Sequence, residues 1–266
     1  MSLAAKYGPW ALITGASEGT GAAFALRLAD AGIHCILIAR REEPLQDLAA
    51  QVRARGVECV TASVDLSAPG ATDRIVAAAG DRDVGLLIAN AGADTNGSAF
   101  LDSDAANWEA LINLNVVTTM RNCHHFGRAM RGRGRGGIVL VGSGACYGGL
   151  NGIGVYCGVK AFDLCFGEGL WAELRHHNVD VLNLILGRTD TPAHRRIMER
   201  SGQPVPEGMA SSEDVARIVL EQLPYGPVYN WGQTNDVAGY APNSPDARRA
   251  RIVMIEELSS AYAGKK

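Results

Sequence analysis

A tyrosine and a lysine stand four residues apart in the segment Tyr156-Cys-Gly-Val-Lys160. In a helix this spacing places both side chains on one face, so a phenol and an ammonium can converge on one spot. A free phenol has a pKa of about 10, and a neighbouring ammonium favours the phenolate, which eases proton exchange near neutral pH. The pair alone is just as typical of a surface contact. As chemistry, it predicts proton transfer to or from a substrate oxygen, with Tyr156 as the acid or base.

Two further polar residues stand where this chemistry can use them. Ser143 lies thirteen residues before Tyr156, at the end of a predicted strand. Its hydroxyl can donate a hydrogen bond to an oxygen that gains charge during reaction. Asn115 lies inside a segment of helical length, where asparagine is unfavourable by propensity. A residue that opposes the local preference indicates a functional reason.

Glycines punctuate the segment from Thr14 to Gly21, between a predicted first strand and a predicted first helix. Glycine permits a tight turn and lets backbone amides approach a pyrophosphate closely. The helix that follows offers unpaired N–H groups and partial positive charge to the same anion. The segment therefore predicts a dinucleotide-binding turn, with contacts from Gly15, Ser17, Gly19, Thr20 and Gly21.

Short apolar runs alternate with longer amphipathic stretches, and these elements must position the residues above. The predicted strands are Trp10–Thr14, Cys35–Ala39, Glu58–Ser63, Val84–Ala89, Ile138–Val141, Val181–Leu186 and Pro227–Asn230. The predicted helices are a first one that carries Phe24, Leu28 and Ala31 on one face and ends at Gly32, then 42–55, 68–79, 104–131, 157–177, 212–222 and 245–262. Gly187–Gly208 is predicted to be a mobile loop or a small helix near the site.

Continuous apolar strands separated by helices predict one fold class. It is α/β, a doubly wound Rossmann-type parallel sheet of about seven strands with helices on both faces. Residues 1–266 are predicted to form a single domain of this type, since α/β folds of this length often stay undivided.

Composition and charge argue against several other classes of protein. The formal net charge is -3, without the basic excess typical of proteins that bind nucleic acid or anionic membranes. The arginine- and glycine-rich stretch 131–137 is interpreted as a helix end, because no aromatic platform accompanies it. Six scattered cysteines and two adjacent histidine pairs predict no metal site and fit a reducing compartment. With neither a signal sequence nor an apolar run that could span a bilayer, we expect a cytoplasmic protein.

The Thr-Gly-x-x-x-Gly-x-Gly spacing of residues 14–21, followed in order by the serine and the Tyr-x-x-x-Lys pair, resembles the short-chain dehydrogenase/reductase family of the single-domain type. The resemblance runs from Trp10 to about Trp231. It implies an alcohol dehydrogenase or carbonyl reductase that moves a hydride between nicotinamide and a carbonyl or secondary alcohol carbon. It also implies a homodimer or homotetramer in which the long helices 104–131 and 157–177 pair between subunits.

The same resemblance implies a catalytic tetrad of Asn115, Ser143, Tyr156 and Lys160. In this tetrad Tyr156 exchanges the proton with the substrate oxygen, and Ser143 donates a hydrogen bond to that oxygen. Lys160 lowers the cost of forming the phenolate and also holds the nicotinamide ribose. Asn115 holds a water molecule that links Lys160 to solvent as a proton relay.

Further cofactor contacts are implied at the carboxyl ends of other strands, where open sheets bind ligands. They are Asp65 and Leu66 after the third strand, Asn90, Ala91 and Gly92 after the fourth, and Gly187, Thr189 and Thr191 after the sixth, together with Tyr156 and Lys160. The last segment departs from the family pattern, because Leu186 replaces a proline. Arg188 is interpreted either as a solvent-facing charge or as a contact for an anionic substrate.

The end of the second strand predicts which nicotinamide the site prefers. NAD-binding sheets usually carry an acid there for the ribose hydroxyls, whereas this chain has Ala39 followed by Arg40. A guanidinium pairs with a 2′-phosphate in bidentate fashion, so we predict NADP(H) over NAD(H). Glu18 opposes this prediction, because many NADP-dependent relatives carry a basic residue at that position.

Two other functions remain as alternatives. A serine hydrolase with Ser143 as nucleophile is disfavoured, because the Gly-x-Ser-x-Gly spacing of a nucleophile elbow is missing. A catalytically silent dinucleotide sensor or scaffold on the same fold stays open, since fold alone never proves chemistry. The identity of the carbonyl or alcohol substrate is not predicted.

Overall fold

The structure is a computed structural model that describes residues 2–93, 98–187, 189–200, 202, 204–205, 207–231, 245–247, 249–250 and 253, without the side chains of residues 197 and 200. Its strands are β1 (Trp10–Thr14), β2 (His34–Ala39), β3 (Cys59–Ser63), β4 (Val84–Ala89), β5 (Gly136–Ser143), β6 (Val179–Leu186), β7 (Thr189–Asp190), β8 (Ala210–Ser211) and β9 (Val228–Trp231). Seven of them form one parallel sheet in the order β3-β2-β1-β4-β5-β6-β9, and β7 pairs with β8 separately.

The described helices are α1 (Leu3–Tyr7), α2 (Gly19–Asp30), α3 (Glu42–Arg53), α4 (Ala71–Ala79), α5 (Ala105–Ile112), α6 (Thr118–Arg133), α7 (Gly154–Leu174), α8 (Pro192–Arg200) and α9 (Ser212–Gln222). No helix in the described part of the chain is both long and apolar enough to cross a membrane.

Apolar side chains on both faces of the sheet explain its layered architecture. On one face, residues such as Phe24 of α2, Leu45 of α3 and Val215 of α9 form one buried cluster. On the other face, Ile75 of α4 and Phe126 of α6 belong to a second buried cluster. Strands buried on both sides read as continuous apolar runs, so the sequence pattern and the packing agree. The predicted fold class is confirmed.

The order in which the parallel strands are added reverses between β1 and β4: β2 and β3 follow on one side of β1, and β4, β5, β6 and β9 on the other. In open α/β sheets, ligands bind at the carboxyl ends of the strands beside such a switch point. The glycine turn follows β1 and the Asn90–Gly92 segment follows β4. The topology therefore brings these two segments to the position where a dinucleotide binds in folds of this class.

The helix predicted over 104–131 is interrupted by a π-helical turn. The structure has α5, then a π-helix over Asn113–Val117, then α6. A π turn widens the helix by one residue and is frequent at functional sites. Helical periodicity cannot reveal it, because both flanks keep the ordinary pattern. Asn115 lies inside this turn.

Other predicted helices have different limits in the structure; those predicted over 42–55 and 68–79 span Glu42–Arg53 and Ala71–Ala79. The helix predicted over 157–177 begins three residues earlier, at Gly154, and α-helical geometry ends at Leu174. Tyr156 therefore belongs to the first turn of α7 rather than to the loop before it. For Gly187–Gly208 the sequence predicts a mobile loop or a small helix, and the structure has the helix α8 there, preceded by the short strand β7. Of the helix predicted over 245–262, residues 245–247, 249–250 and 253 are described and helical; the rest lies outside the described residues.

Candidate active site

The turn after β1 contains glycines at positions where any other residue would be strained or would clash. Gly15 and Gly19 have φ angles of 65° and 57°, in the left-handed region that favours glycine. A Cβ atom added to Gly21 would lie 2.2 Å from the carbonyl oxygen of Gly15, so the helix start and the turn are in direct backbone contact. Ser17 lies half-buried in the turn, and Thr20 is buried in the first turn of α2.

Glu18 stands just before α2 but does not cap it, since its side chain makes no cap hydrogen bond. The amides of the first helical turn are thus left to bind an anion. The Glu18 carboxylate instead pairs with Arg41 at 2.7 Å and with Arg196 of α8. Burial alone would raise the pKa of Glu18, but the hydrogen bonds from Arg196 and Arg41 outweigh it and lower that pKa.

Asn90 ties the end of β4 to the glycine turn. Its side-chain amide donates to the backbone oxygens of Thr14 and Gly15, both at 3.1 Å. In return, the Thr14 hydroxyl oxygen accepts from the backbone N–H groups of Asn90 at 3.1 Å and Ala91 at 3.3 Å. These four bonds fix the width of the cleft between β1 and β4.

Gly92, Asn115 and Lys160 converge on one point. A Cβ atom added to Gly92 would lie 2.5 Å from Oδ1 of Asn115 and 2.8 Å from Nζ of Lys160. Any larger residue at position 92 would displace one of these groups. Asn115 donates from Nδ2 to the carbonyl oxygen of Leu111 at 3.0 Å. Its Oδ1 is buried and accepts no hydrogen bond from the described residues, so it is available to a bound water.

Lys160 is held at this point by groups on two elements, β5 and its own helix α7. It is 3% exposed, and its Nζ donates to the carbonyl oxygen of Val141 in β5 at 3.1 Å. Nζ also forms an ion pair with Oδ2 of Asp163 at 3.1 Å. The Tyr156 ring lies one turn back on α7, with 5.8 Å between its centroid and Nζ. The i, i+4 spacing therefore does bring the phenol ring and the ammonium together.

Ser143 stands at the end of β5 and caps the short 3-10 helix Gly144–Tyr147. Its hydroxyl oxygen accepts from the backbone N–H of Ala145 at 3.3 Å, which leaves the hydroxyl proton to donate elsewhere. Tyr156 is half-buried in the following helix. Ser143 thus lies at the carboxyl end of β5, and Tyr156 lies in the first turn of α7, the next helix of the same chain segment.

Arg40 and Asp65 lie at the carboxyl ends of β2 and β3, which are adjacent in the sheet. Arg40 is exposed, and its backbone oxygen accepts from the Ser63 hydroxyl at 2.9 Å. Asp65 accepts from the hydroxyl and the backbone N–H of Ser67 at 2.7 Å and 3.0 Å. The hydrogen bond from the Ser67 hydroxyl is the main reason that the pKa of Asp65 is lowered, and Arg40 adds a smaller effect.

The segment after β6 contacts the glycine turn directly. A Cβ atom added to Gly19 would lie 3.1 Å from Cγ2 of Thr191, and the Thr191 hydroxyl oxygen accepts from the backbone N–H of His194 at 3.1 Å. Gly187 donates its backbone N–H to Trp231 at 3.0 Å, and Thr189 is buried in β7. Arg188 lies outside the described residues.

Leu66, predicted as a cofactor contact, is tied to α6 through its backbone. Its side chain is buried, and its carbonyl oxygen accepts from the Thr118 hydroxyl of α6 at 2.8 Å. The bond connects the end of β3 to the helix that follows the π turn.

Sequence reasoning missed three residues that the structure brings to the site. Asp163 pairs with Lys160, and Arg41 and Arg196 pair with Glu18. An acid one helical turn after Lys160, inside an otherwise apolar stretch, is a signal that could have found Asp163. No local pattern could have found Arg196, because it meets Glu18 across 178 positions.

The arrangement fits a nicotinamide dinucleotide. The turn that leads into α2 carries glycine at positions 15, 19 and 21, where a Cβ atom would meet neighbouring atoms, and Gly92 leaves room beside Lys160 that a Cβ atom would fill. The orphaned Oδ1 of Asn115 lies at the same point. Among the described residues, no group of three or more His, Cys, Asp or Glu side chains could hold a metal ion.

Comparison with known proteins agrees with this geometry. The short chain dehydrogenase family model matches residues 9–202. A 7beta-hydroxysteroid dehydrogenase from Collinsella aerofaciens is 37% identical over 194 residues, which cover 73% of each protein. A solved structure of a 7beta-hydroxysteroid dehydrogenase is similar with a TM-score of 0.82 and 30% identity, over 95% of this chain and 99% of that one.

A short-chain dehydrogenase from Sphingobium yanoikuyae, solved in complex with NADPH, has a TM-score of 0.79 and 29% identity, over 92% of this chain and 96% of that one. The similar proteins thus share the length and the topology of this chain. That topology carries the glycine turn and the convergent Asn115–Lys160 point. The chain belongs to the short-chain dehydrogenase family, whose members are oxidoreductases that use NAD or NADP.

Proposed function

We propose that this protein is an NADP(H)-dependent carbonyl reductase or secondary alcohol dehydrogenase in which Tyr156 exchanges the proton with the substrate oxygen. The observation that carries the proposal is the convergence of Gly92, Asn115 and Lys160 on one point, with the Tyr156 ring 5.8 Å from the ammonium. A dinucleotide sensor has no need of this arrangement, because binding alone does not require a proton donor beside the nicotinamide.

Each of the four polar residues has a separate task in this mechanism. The nicotinamide, when bound, donates or accepts the hydride. Tyr156 donates a proton to the substrate oxygen in reduction and accepts it in oxidation. The Ser143 hydroxyl donates a hydrogen bond to the same oxygen and stabilises the charge that develops there. Lys160 stabilises the phenolate by its charge, and the free Oδ1 of Asn115 holds a water that returns protons from solvent.

The preference for NADP(H) rests on the charges around the end of β2. Arg40 is exposed there, with no acid at position 39. Glu18 is the group that would repel a 2′-phosphate, but Arg41 and Arg196 pair with it. Two arginines compensate one carboxylate, so the surroundings of Arg40 stay positive, which favours a phosphate over a bare ribose.

For the substrate we propose a ketone or secondary alcohol on a bulky, mainly apolar scaffold. Cys146 is buried in the short helix after Ser143, beside half-buried Tyr147. Leu150, in the loop before α7, is 56% exposed. An exposed apolar side chain six residues before Tyr156 in the sequence would be stabilised by covering an apolar ligand. Steroid 7-ketones and 7-alcohols come first in a screen, since two similar proteins are 7beta-hydroxysteroid dehydrogenases; 3-oxoacyl thioesters and simple ketones complete it.

The decisive experiment compares wild type with Tyr156→Phe. The variant keeps the ring and loses only the hydroxyl, so we expect NADPH to bind with unchanged affinity, measured by fluorescence titration. Turnover should fall by about a hundredfold to ten-thousandfold, the usual contribution of a general acid–base group. Tyr225→Phe is the matched control, because Tyr225 is an exposed tyrosine at the far end of α9; it should retain wild-type turnover.

Two results would contradict the proposal. Wild-type turnover by Tyr156→Phe would remove that residue from the proton transfer. NADPH binding by the wild type without oxidation of NADPH against any member of the carbonyl screen would favour the sensor instead.

A further inference from the structure

A buried carboxylate, Asp163, stands one helical turn after Lys160 on α7. Its Oδ2 lies 3.1 Å from Nζ of Lys160, and its side chain is 5% exposed. The second carboxylate oxygen, Oδ1, is buried and accepts no hydrogen bond from the described residues. The proposed tetrad chemistry does not use this carboxylate.

A buried ion pair of this kind is energetically unfavourable as a means of filling the interior. Removing two charges from water costs more than their attraction returns unless every lone pair is satisfied, and one oxygen of Asp163 is not. Burial raises the pKa of Asp163, and the Lys160 ammonium opposes that rise. An apolar residue of similar size would serve packing at least as well. The carboxylate is therefore explained better by what it does to Lys160 than by stability.

Among the described residues around Asp163, Lys160 is the one group whose charge compensates the carboxylate. On its own helix, Asp163 faces Lys160. From α6, the Cys123 thiol lies near Asp163. Burial raises the pKa of Cys123, and the Asp163 charge adds a smaller effect in the same direction. That thiol therefore stays protonated and neutral. From β6, Asn183 donates its side-chain amide to the backbone oxygen of Asp163 at 2.5 Å. The β5 strand and the π turn contain no charged residue.

The hydrogen bonds of Lys160 show how the carboxylate directs it. An ammonium has three donors. One is bonded to Val141 in β5 and one to Asp163. The third is left for groups on the side of Gly92, 2.8 Å from the position that a Cβ atom would take there.

We propose that Asp163 is a positioning residue for Lys160, a built-in counter-ion that keeps the ammonium charged and aimed at the Gly92–Asn115 point before any cofactor binds. The inference rests on the proposed function, in which Lys160 stabilises the Tyr156 phenolate. Without the carboxylate, a nearly fully buried ammonium has no compensating charge and gives up its proton more readily. Tyr156 then loses the charge that favours its phenolate.

The first test uses Asp163→Asn without cofactor or substrate. Asparagine keeps the shape and a hydrogen-bond acceptor and removes only the charge. The chain has four lysines, at positions 6, 160, 265 and 266, so NMR of labelled lysine side chains can follow Lys160 alone, with the Lys160→Met spectrum as its assignment. We expect Lys160 to lose its proton about one to three pH units lower in Asp163→Asn than in wild type.

Glu168→Gln is the matched control. It removes another buried carboxylate of α7, which lies eight residues after Lys160 and about 12 Å from it along the helix axis. Its Lys160 titration should coincide with that of the wild type. The same titration midpoint in Asp163→Asn and wild type overturns the inference.

The second test records rate against pH for alcohol oxidation. In Asp163→Asn the acid limb should move to higher pH, because the phenolate forms later once Lys160 is neutral. A purely structural role would lower the amount of folded enzyme at every pH and leave the limb in place, which overturns the inference. A shift to lower pH also overturns it, since the carboxylate would then only oppose the ammonium.

These two tests separate the inference from the proposed function. The lysine titration needs no activity, so it stands or fails even if the carbonyl screen finds no substrate. Conversely, an active wild type with an unmoved Lys160 titration in Asp163→Asn refutes the role of Asp163 and leaves the oxidoreductase proposal intact.

Discussion

At the scale of single residues, Gly92 is as demanding a position as any in the proposed tetrad. Its missing side chain is what allows Asn115 and Lys160 to meet. Gly92→Ala should push one of these groups aside, and a displacement of about 1 Å near the chemistry costs on the order of a hundredfold in kcat. Turnover at saturating substrate, with unfolding followed in parallel, checks this.

The control for this substitution is Gly169→Ala on α7. A Cβ atom there meets nothing within 4 Å, and alanine is favoured over glycine in a helix by about 1 kcal/mol. It should retain kcat and unfold at a slightly higher temperature. If Gly92→Ala also retained kcat, the Asn115–Lys160 point would have no part in the chemistry.

Arg40 is the residue on which the cofactor preference depends. Arg40→Asp replaces a bidentate partner of the 2′-phosphate with a repelling charge, so the Kd for NADPH should rise about tenfold to hundredfold, while NADH binding improves or stays the same. Arg128→Asp makes the same charge change at an exposed position on α6 and should alter neither. Equal or tighter NADPH binding by Arg40→Asp would end the assignment of NADP(H).

At the scale of elements, α8 is connected to the glycine turn by the Arg196–Glu18 ion pair. Arg196→Gln leaves the Glu18 charge less compensated beside the proposed phosphate site. Because an exposed pair is worth up to about 1 kcal/mol, the Kd for NADPH should rise by up to about fivefold. The rise should shrink at high salt, where exposed charges are screened.

The neighbouring arginine provides the matched control for that prediction. Arg195 pairs with Asp190 through two bonds of 2.6 Å and does not contact Glu18 in the described structure. Arg195→Gln removes the same charge from the same helix, one residue away. An equal loss of NADPH affinity in both variants would mean that the overall charge of α8, not the pair with Glu18, is what matters.

The elements also show what sequence patterns can predict here. Strands and most helices follow from apolar periodicity, because burial on both faces of the sheet demands it. The glycine turn and the Tyr156–Lys160 pair are each formed by residues close together in the sequence, so both could be predicted from it. The π turn around Asn115 and the pairing of β7 with β8 depend on contacts between distant segments, so no local sequence preference predicts them.

At the scale of the whole molecule, two predictions concern domain organisation and assembly. One is that residues 1–266 form a single domain. The other is that the protein is a homodimer or homotetramer formed by its long helices. The surface is consistent with the second. Large apolar side chains stay exposed along the α5–α6 stretch, with Ile112 at 39% and Met120 at 41%, and burying exposed apolar area against a second copy would stabilise an assembly.

We therefore expect light scattering of the wild type to give at least twice the chain mass of 28.1 kDa, and the double variant Ile112→Glu, Met120→Glu to give a monomer. Charges placed in an apolar interface are buried at a cost that association cannot repay. Val205→Glu alters another exposed apolar residue, 42% exposed and outside both helices in the sequence, and should keep the wild-type mass. Because both substituted side chains are solvent-exposed in the single chain, circular dichroism should be unchanged. A monomeric wild type, or a double variant of unaltered mass, would show that this helical surface does not hold subunits together.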